Sequence, residues 1–99
     1  MKLEFTVRAH REARSHDRWW RENRPAAPQL FIEELRRAID QIRTAHNLGG
    51  LFKANKSGRE YRRVLMPVTR YHVYYSMPAA DRVLVHSIWS GVRGKGPVL

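Results

Sequence analysis

The sequence predicts an α+β fold: an N-terminal strand, an antiparallel two-helix hairpin, then a three-stranded antiparallel meander, all contributing to one sheet. Two observations carry this expectation. The apolar period changes from two to about 3.6 near Arg8 and returns to two near Tyr61. The segments so marked run strand, helix, helix, strand, strand, strand with short connections, which suits a helical layer on one face of a largely antiparallel sheet.

Each element has its own local reason. Leu3, Phe5 and Val7 alternate with Lys2, Glu4 and Thr6, the mark of a strand. Ala9, Ala13, His16 and Trp20 then fall on one helical face, and Asn23-Arg24-Pro25 ends that helix because proline forces its predecessor into extended backbone. Pro28 opens a second helix, whose stripe is Phe31, Leu35, Ala38, Ile42 and Ala45, widened by Ile39. Glu33, Glu34, Arg36, Arg37, Asp40 and Arg43 read as its solvated face, and Asn47-Leu48-Gly49-Gly50 as its stop. The short connection makes the two helices antiparallel neighbours. Residues 51–59 show no period and read as a basic loop. Strands follow at Tyr61–Met66, Tyr71–Met77 and Arg82–Trp89, with Tyr71, Val73, Tyr75 and Met77 on one face of the middle one. The glycine-rich end reads as a mobile tail over 94–99, so residues 1–99 are expected to form one domain.

Composition narrows the function. A chain of 99 residues holds one modest core. No apolar run approaches the ~18–20 residues of a membrane span, and no secretory signal opens the chain, so a cytoplasmic protein is expected. With no cysteine there is neither a disulfide framework nor a thiolate metal site. The net charge is +10, unevenly placed: ten basic and seven acidic side chains in residues 1–45, nine and two in 46–99. Excess positive charge in the second half calls for an anionic partner there.

The residues that carry chemistry are basic and aromatic. His10, His16, His46, His72 and His86 include no His-x-x-x-His pair, so neither metal nor cofactor is expected. His16, on the apolar helical face, reads as a packed histidine. No phosphate loop or nucleophile elbow is present in the sequence. Arg62, Arg63, Arg70, His72, Tyr74, His86 and Arg93 form a set suited to a phosphate backbone, with arginines for phosphates and rings for stacking. Arg62, Arg63, His72 and Arg93 are expected to lie close together. Trp19, Trp20, Phe31, Ile32 and Ile39 give the hairpin more apolar surface than one small sheet covers, so a partner is expected to dock there.

Beyond these readings, Ala9…Trp19-Trp20-Arg21-Glu22-Asn23-Arg24-Pro25 with Phe31…Leu35…Ala38 resembles the helical hairpin of the RelE/ParE superfamily of toxins. Tyr71-His72-Val73-Tyr74-Tyr75 and the Ile88-to-Pro97 segment are similar to its later strands. The resemblance implies the toxin half of a type II toxin–antitoxin pair, neutralised by an acidic, partly disordered antitoxin that would dock on Trp19, Trp20, Phe31, Ile32 and Ile39. It implies one of two activities: ribosome-dependent cleavage of mRNA in RelE-like members, or poisoning of DNA gyrase in ParE-like members. For cleavage, Arg62 and Arg93 match basic positions of the RelE pattern, while Val64, His72 and Ser90 depart from it and no C-terminal aromatic follows. A ribonuclease would therefore have to work with Arg62, His72 and Arg93. A gyrase poison would use Arg62, Arg63, Arg70 and Arg93 to hold its target. The long hairpin with its Trp19-Trp20 pair is closer to the ParE-like branch.

Overall fold

The computed structural model describes residues 1–53, 58–92 and 94–99. Its elements are β1 (Lys2–Phe5), α1 (Val7–Asn23), α2 (Leu30–Thr44), β2 (Gly50–Lys53), β3 (Glu60–Leu65), β4 (Tyr71–Ala79) and β5 (Arg82–Ser90). The five strands form one sheet in the order β1-β5-β4-β3-β2. The fold is α+β, as expected, with two additions. Where the end of the helix stop and the start of the basic loop are expected, Gly50–Lys53 forms β2, antiparallel to β3 with Leu51 opposite Arg62 and Phe52 opposite Tyr61. An edge strand needs only one partner and no buried face of its own, so it leaves no alternation in the sequence. The second addition is parallel pairing: β1 lies beside β5, with Leu3 opposite Val83 and Phe5 opposite Val85.

Thr6 links β1 to α1. Its N–H donates to the Val85 carbonyl at 2.9 Å, and its hydroxyl caps the helix by accepting from the Ala9 N–H at 3.0 Å. Two polar side chains then fasten α1 to β5. Glu12 accepts from the Ser87 hydroxyl at 2.7 Å and from the Ile88 N–H at 3.0 Å, beside the irregular pairing between Tyr74 and Tyr75. His16 Nε2 lies 2.7 Å from the Ile88 carbonyl oxygen, and its ring packs on Phe31 and Tyr71, in keeping with a packed histidine. The helix ends where the Arg24 N–H donates to the Trp20 carbonyl, just before Pro25.

On α2, Phe31, Leu35, Ala38 and Ile42 of the expected stripe are buried and Ile39 is half-buried, whereas Ala45 is exposed because the helix ends at Thr44 and Ala45 caps it. With Ala9 and Ala13 of α1 they close over Val73, Tyr75, Val83, Val85 and Ile88 of the sheet. Burying each large aliphatic or aromatic side chain here stabilises the fold by ~1.5–3 kcal/mol. Glu34 corrects the reading of the polar face. It is 3% exposed and accepts from the Val68 N–H, the Thr69 N–H and the Thr69 hydroxyl at 2.8, 2.8 and 2.6 Å. It borders the stripe, and the turn between β3 and β4 offers it three donors. Burial alone would raise its pKa, but these hydrogen bonds and the charge of Arg37 outweigh that and hold it below the ordinary carboxylate value.

Side chains alternate across the strands, so the opposite face of the sheet carries Arg63, His72, Tyr74 and Trp89. The glycine-rich end, expected to be mobile, lies against this face. Trp89 Nε1 donates to the Lys95 carbonyl at 3.0 Å, Pro97 is buried, and the Arg8 guanidinium donates to the Val98 carbonyl. Gly96 fits because it lacks a side chain: a Cβ there would meet Phe52 Cζ at 2.7 Å.

Candidate functional site

The basic candidates do not all meet. Neighbours on one strand point to opposite faces, and this separates Arg62 from Arg63. Arg62 turns to the helical side and donates to the carbonyls of Gly49 and Asn47 at 2.8 and 3.3 Å. There the Tyr75 hydroxyl donates to the His46 carbonyl at 2.8 Å and accepts from the Gly49 N–H at 3.1 Å. Arg62 therefore helps to hold the chain between α2 and β2, and the expected cluster of Arg62 with Arg63 and His72 is corrected. Arg93, the fourth member, lies outside the described residues.

Arg63 and His72 do come together, on the face that the tail lies against. Their pocket measures about 200 Å³ and is lined by Arg63, His72, Tyr74, Ser90, Gly91, Gly94, Lys95 and Gly96. The Arg63 guanidinium donates to the Tyr74 hydroxyl at 3.3 Å and lies 5.5 Å from the Phe52 ring centre. Phe52 in turn meets Tyr74 edge-on, with ring centres 4.8 Å apart. His72 Nδ1 is buried and has no hydrogen-bond partner among the described residues. Burial, then the charges of Arg63 and Arg70, push the His72 pKa below the ordinary histidine value, so the ring is neutral at pH 7. Arg70 sits in the β3–β4 turn at φ 69°, a left-handed backbone uncommon outside glycine, and its carbonyl accepts from the Gly91 N–H. His86 stands apart, its Nε2 2.7 Å from the Ser76 hydroxyl and its pKa lowered by burial, Arg59 and Arg8.

Lys95 and the tail glycines are the part of this site that sequence reasoning missed. Nothing local in the sequence signals them, because the seat of the tail depends on Trp89, Phe52 and Arg8 together. The eight described lining residues include no carboxylate, so the pocket suits an anion, and His72 is its one imidazole for acid–base chemistry near neutral pH. Among the described residues, no group of three or more His, Cys, Asp or Glu is placed to hold a metal ion.

The hairpin candidates divide by depth. Phe31 is 0% exposed and belongs to the core, so it presents no surface to a partner. Trp19 is 44% exposed, and Trp20, Ile32 and Ile39 are half-buried. The two indoles meet edge-on at 5.8 Å, and the Arg24 guanidinium lies 4.9 Å from the Trp19 ring centre. A cleft of about 530 Å³ opens there between Ser15, His16, Arg24, Thr69, Tyr71 and Val92. Ile32 and Ile39 line a separate groove of about 320 Å³ with Phe5, Ala13, Leu35 and the stems of Arg14 and Arg36.

No curated protein sequence matches the chain. A solved structure described as the chromosomal ParDE TA system from P. aeruginosa superposes with a TM-score of 0.67 at 12% identity, covering 91% of this chain and 95% of that one. At that identity the likeness speaks for the fold alone. Among the described residues, no helix is long and apolar enough to cross a membrane. The family model described as the ParE toxin of type II toxin–antitoxin system, parDE, matches residues 3–93, and the chain belongs to that toxin family.

Proposed function

We propose that this toxin inhibits DNA gyrase in the cytoplasm and arrests growth unless an acidic antitoxin neutralises it. The observation that carries the reading is the match to the ParE toxin family across residues 3–93, both helices and all five strands included. In this reading residues 1–99 work as one toxin domain. Arg63 and Arg70 hold the target's phosphates, with Arg93 as a further candidate, and Arg62 contributes through the loop it fastens. The antitoxin covers Trp19, Trp20, Ile32 and Ile39, with Phe31 supporting them from beneath. An acidic segment suits a surface edged by Arg14, Arg24 and Arg36 in a chain of net charge +10.

One observation favours the RelE-like alternative of ribosome-dependent mRNA cleavage. His72 is neutral at pH 7 and shares its pocket with Arg63 and Tyr74, a combination that could take up a proton and stabilise a phosphorane. Arg62, the other expected participant, is engaged on the far face. Supercoiled plasmid incubated with toxin and gyrase, beside an in vitro translation reaction, separates the two. Linear DNA that appears only with gyrase and toxin together supports the proposal. Position-specific mRNA cuts with unchanged gyrase activity would transfer the assignment to the ribonuclease.

A further inference from the structure

We propose that the pocket on the tail-covered face is a phosphate-binding site, and that seating of the Gly94–Leu99 tail completes it. The inference rests on the reading above and deepens it, since it names the chemistry by which a nucleic-acid-bearing target would be held.

The lining is almost wholly one of donors. Arg63 and Lys95 bring cationic N–H groups. The Tyr74 hydroxyl accepts from Arg63 and the Ser90 hydroxyl accepts from the Val92 N–H, so each keeps its own proton to offer. His72 has Nδ1 buried, which leaves Nε2 as the nitrogen that can serve a ligand. With no carboxylate among the eight residues, this lining asks for a ligand rich in acceptors and negative charge. Donors arrive from β3, β4, the end of β5 and the tail, a three-dimensional arrangement that suits a tetrahedral phosphate better than a planar carboxylate.

Three of the eight lining residues, Gly94, Lys95 and Gly96, belong to the tail. The tail is held by the Trp89 bond to the Lys95 carbonyl, the buried Pro97, the Arg8 bond to Val98, and the contact of Gly96 with Phe52. A phosphate that contacts Lys95 and Arg63 together binds only the seated tail. By linkage it must stabilise that seat by the amount that the seat strengthens its binding.

The test uses the full-length isotope-labelled chain without gyrase, titrated with inorganic phosphate. Backbone amide shifts and hydrogen exchange are read at each residue. Saturable shifts are expected at Tyr74, Ser90 and Lys95, and at ten times the Kd exchange within 94–99 should slow about tenfold. Lys95→Ala and Arg63→Gln should each weaken phosphate about tenfold. Gly96→Val removes no donor but drives a side chain into Phe52, and it should weaken phosphate to a similar degree. Should it fail to fold, Lys95→Ala alone decides. The absence of saturable shifts overturns the proposal, as does acetate binding as tightly as phosphate, or unaltered affinity in a folded Gly96→Val or Lys95→Ala protein. A short single-stranded oligonucleotide identifies the source: displacement of phosphate points to a nucleic-acid backbone, and phosphate binding without displacement points to the free ion. Gyrase inhibition without phosphate binding refutes this pocket alone, and phosphate binding without gyrase inhibition refutes the gyrase reading alone.

Discussion

The two faces of the sheet are built from the same strands and solve opposite problems. On the helical face, Phe31, Ile42, Val73, Tyr75, Val85 and Ile88 are all 0% exposed, and the buried carboxylate of Glu34 has three donors. Against the other face lie six residues of tail, held partly through backbone carbonyls, over a pocket in which His72 Nδ1 has no partner among the described residues. Apolar burial and the fully hydrogen-bonded carboxylate of Glu34 make the first face the source of stability. The second gathers the positive charge of Arg63 and Lys95 in a pocket whose eight described lining residues include no carboxylate, an arrangement that favours an incoming anion. Substitutions on the helical face should therefore act on stability, and those on the tail face on function.

The largest effect is expected from Phe31→Ala. The ring is 0% exposed and packs against His16 and Tyr71, so its loss leaves a cavity between hairpin and sheet. Denaturant unfolding should show a loss of ~3–5 kcal/mol. A loss below about 1 kcal/mol would mean that the hairpin is not the keystone of this face.

Glu34→Gln should cost ~1–3 kcal/mol, because an amide oxygen cannot accept from all three donors and the amide N–H₂ would confront one of them. The pH dependence has a definite sign. Since the folded pKa is below the ordinary value of 4.5, the carboxylate stabilises the fold above that pH, and this contribution fades as pH falls through the folded pKa. Melting temperatures between pH 6 and pH 3 should therefore fall more steeply in the parent than in Glu34→Gln. Parallel curves would remove the carboxylate from the account.

Glu34 also marks a limit of what is legible in the sequence. Period and chain punctuation suffice for both helices, for the three long strands and for His16, because each depends on neighbours within a few residues or on an amphipathic face. Glu34 looked solvated because its donors, Val68 and Thr69, are 34 and 35 residues away. The pairing of β1 with β5 spans about 80 residues, and strand periodicity carries no partner information. In the candidate site, alternation alone places Arg62 and Arg63 on opposite faces, so that correction was available in advance. The share of Lys95 was not, since a glycine-rich tail shows no period and its seat depends on Trp89, Phe52 and Arg8 together.

On the tail face, His72→Gln should shift stability at pH 7 by no more than ~0.5–1 kcal/mol. The His72 pKa is depressed in the fold, so its neutral form is the favoured one. That stability is present above the unfolded value of 6.5 and is lost as pH falls through the folded pKa. The parent should therefore weaken from about pH 6.5 downward, and His72→Gln should weaken less, with His86 still contributing. Because the Gln amide keeps an N–H donor for the pocket and removes only the titratable nitrogen, a gyrase poison should keep most of its toxicity in this variant. Toxicity lost together with mRNA cleavage in a folded protein would favour the ribonuclease.

A similarly small effect on stability is expected at Trp19, which sharpens the contrast by applying it to the outside of the hairpin. Trp19 is 44% exposed, and its contacts are the edge of Trp20 and the Arg24 guanidinium at 4.9 Å. An exposed cation–π contact is worth ~0.5–1 kcal/mol, so Trp19→Ala should move unfolding by about that much. Its effect on a partner should be larger. A half-exposed tryptophan beside a cleft of about 530 Å³ gains most of its burial only when something covers it, and such anchors commonly carry ~2 kcal/mol or more of binding. Calorimetric titration of Trp19→Ala with the antitoxin should show affinity lowered about thirtyfold or more, with the unfolding midpoint nearly unchanged. Equal affinity for the parent and Trp19→Ala would move the antitoxin off this cleft and onto the groove lined by Ile32 and Ile39, where Ile39→Ala becomes the deciding measurement.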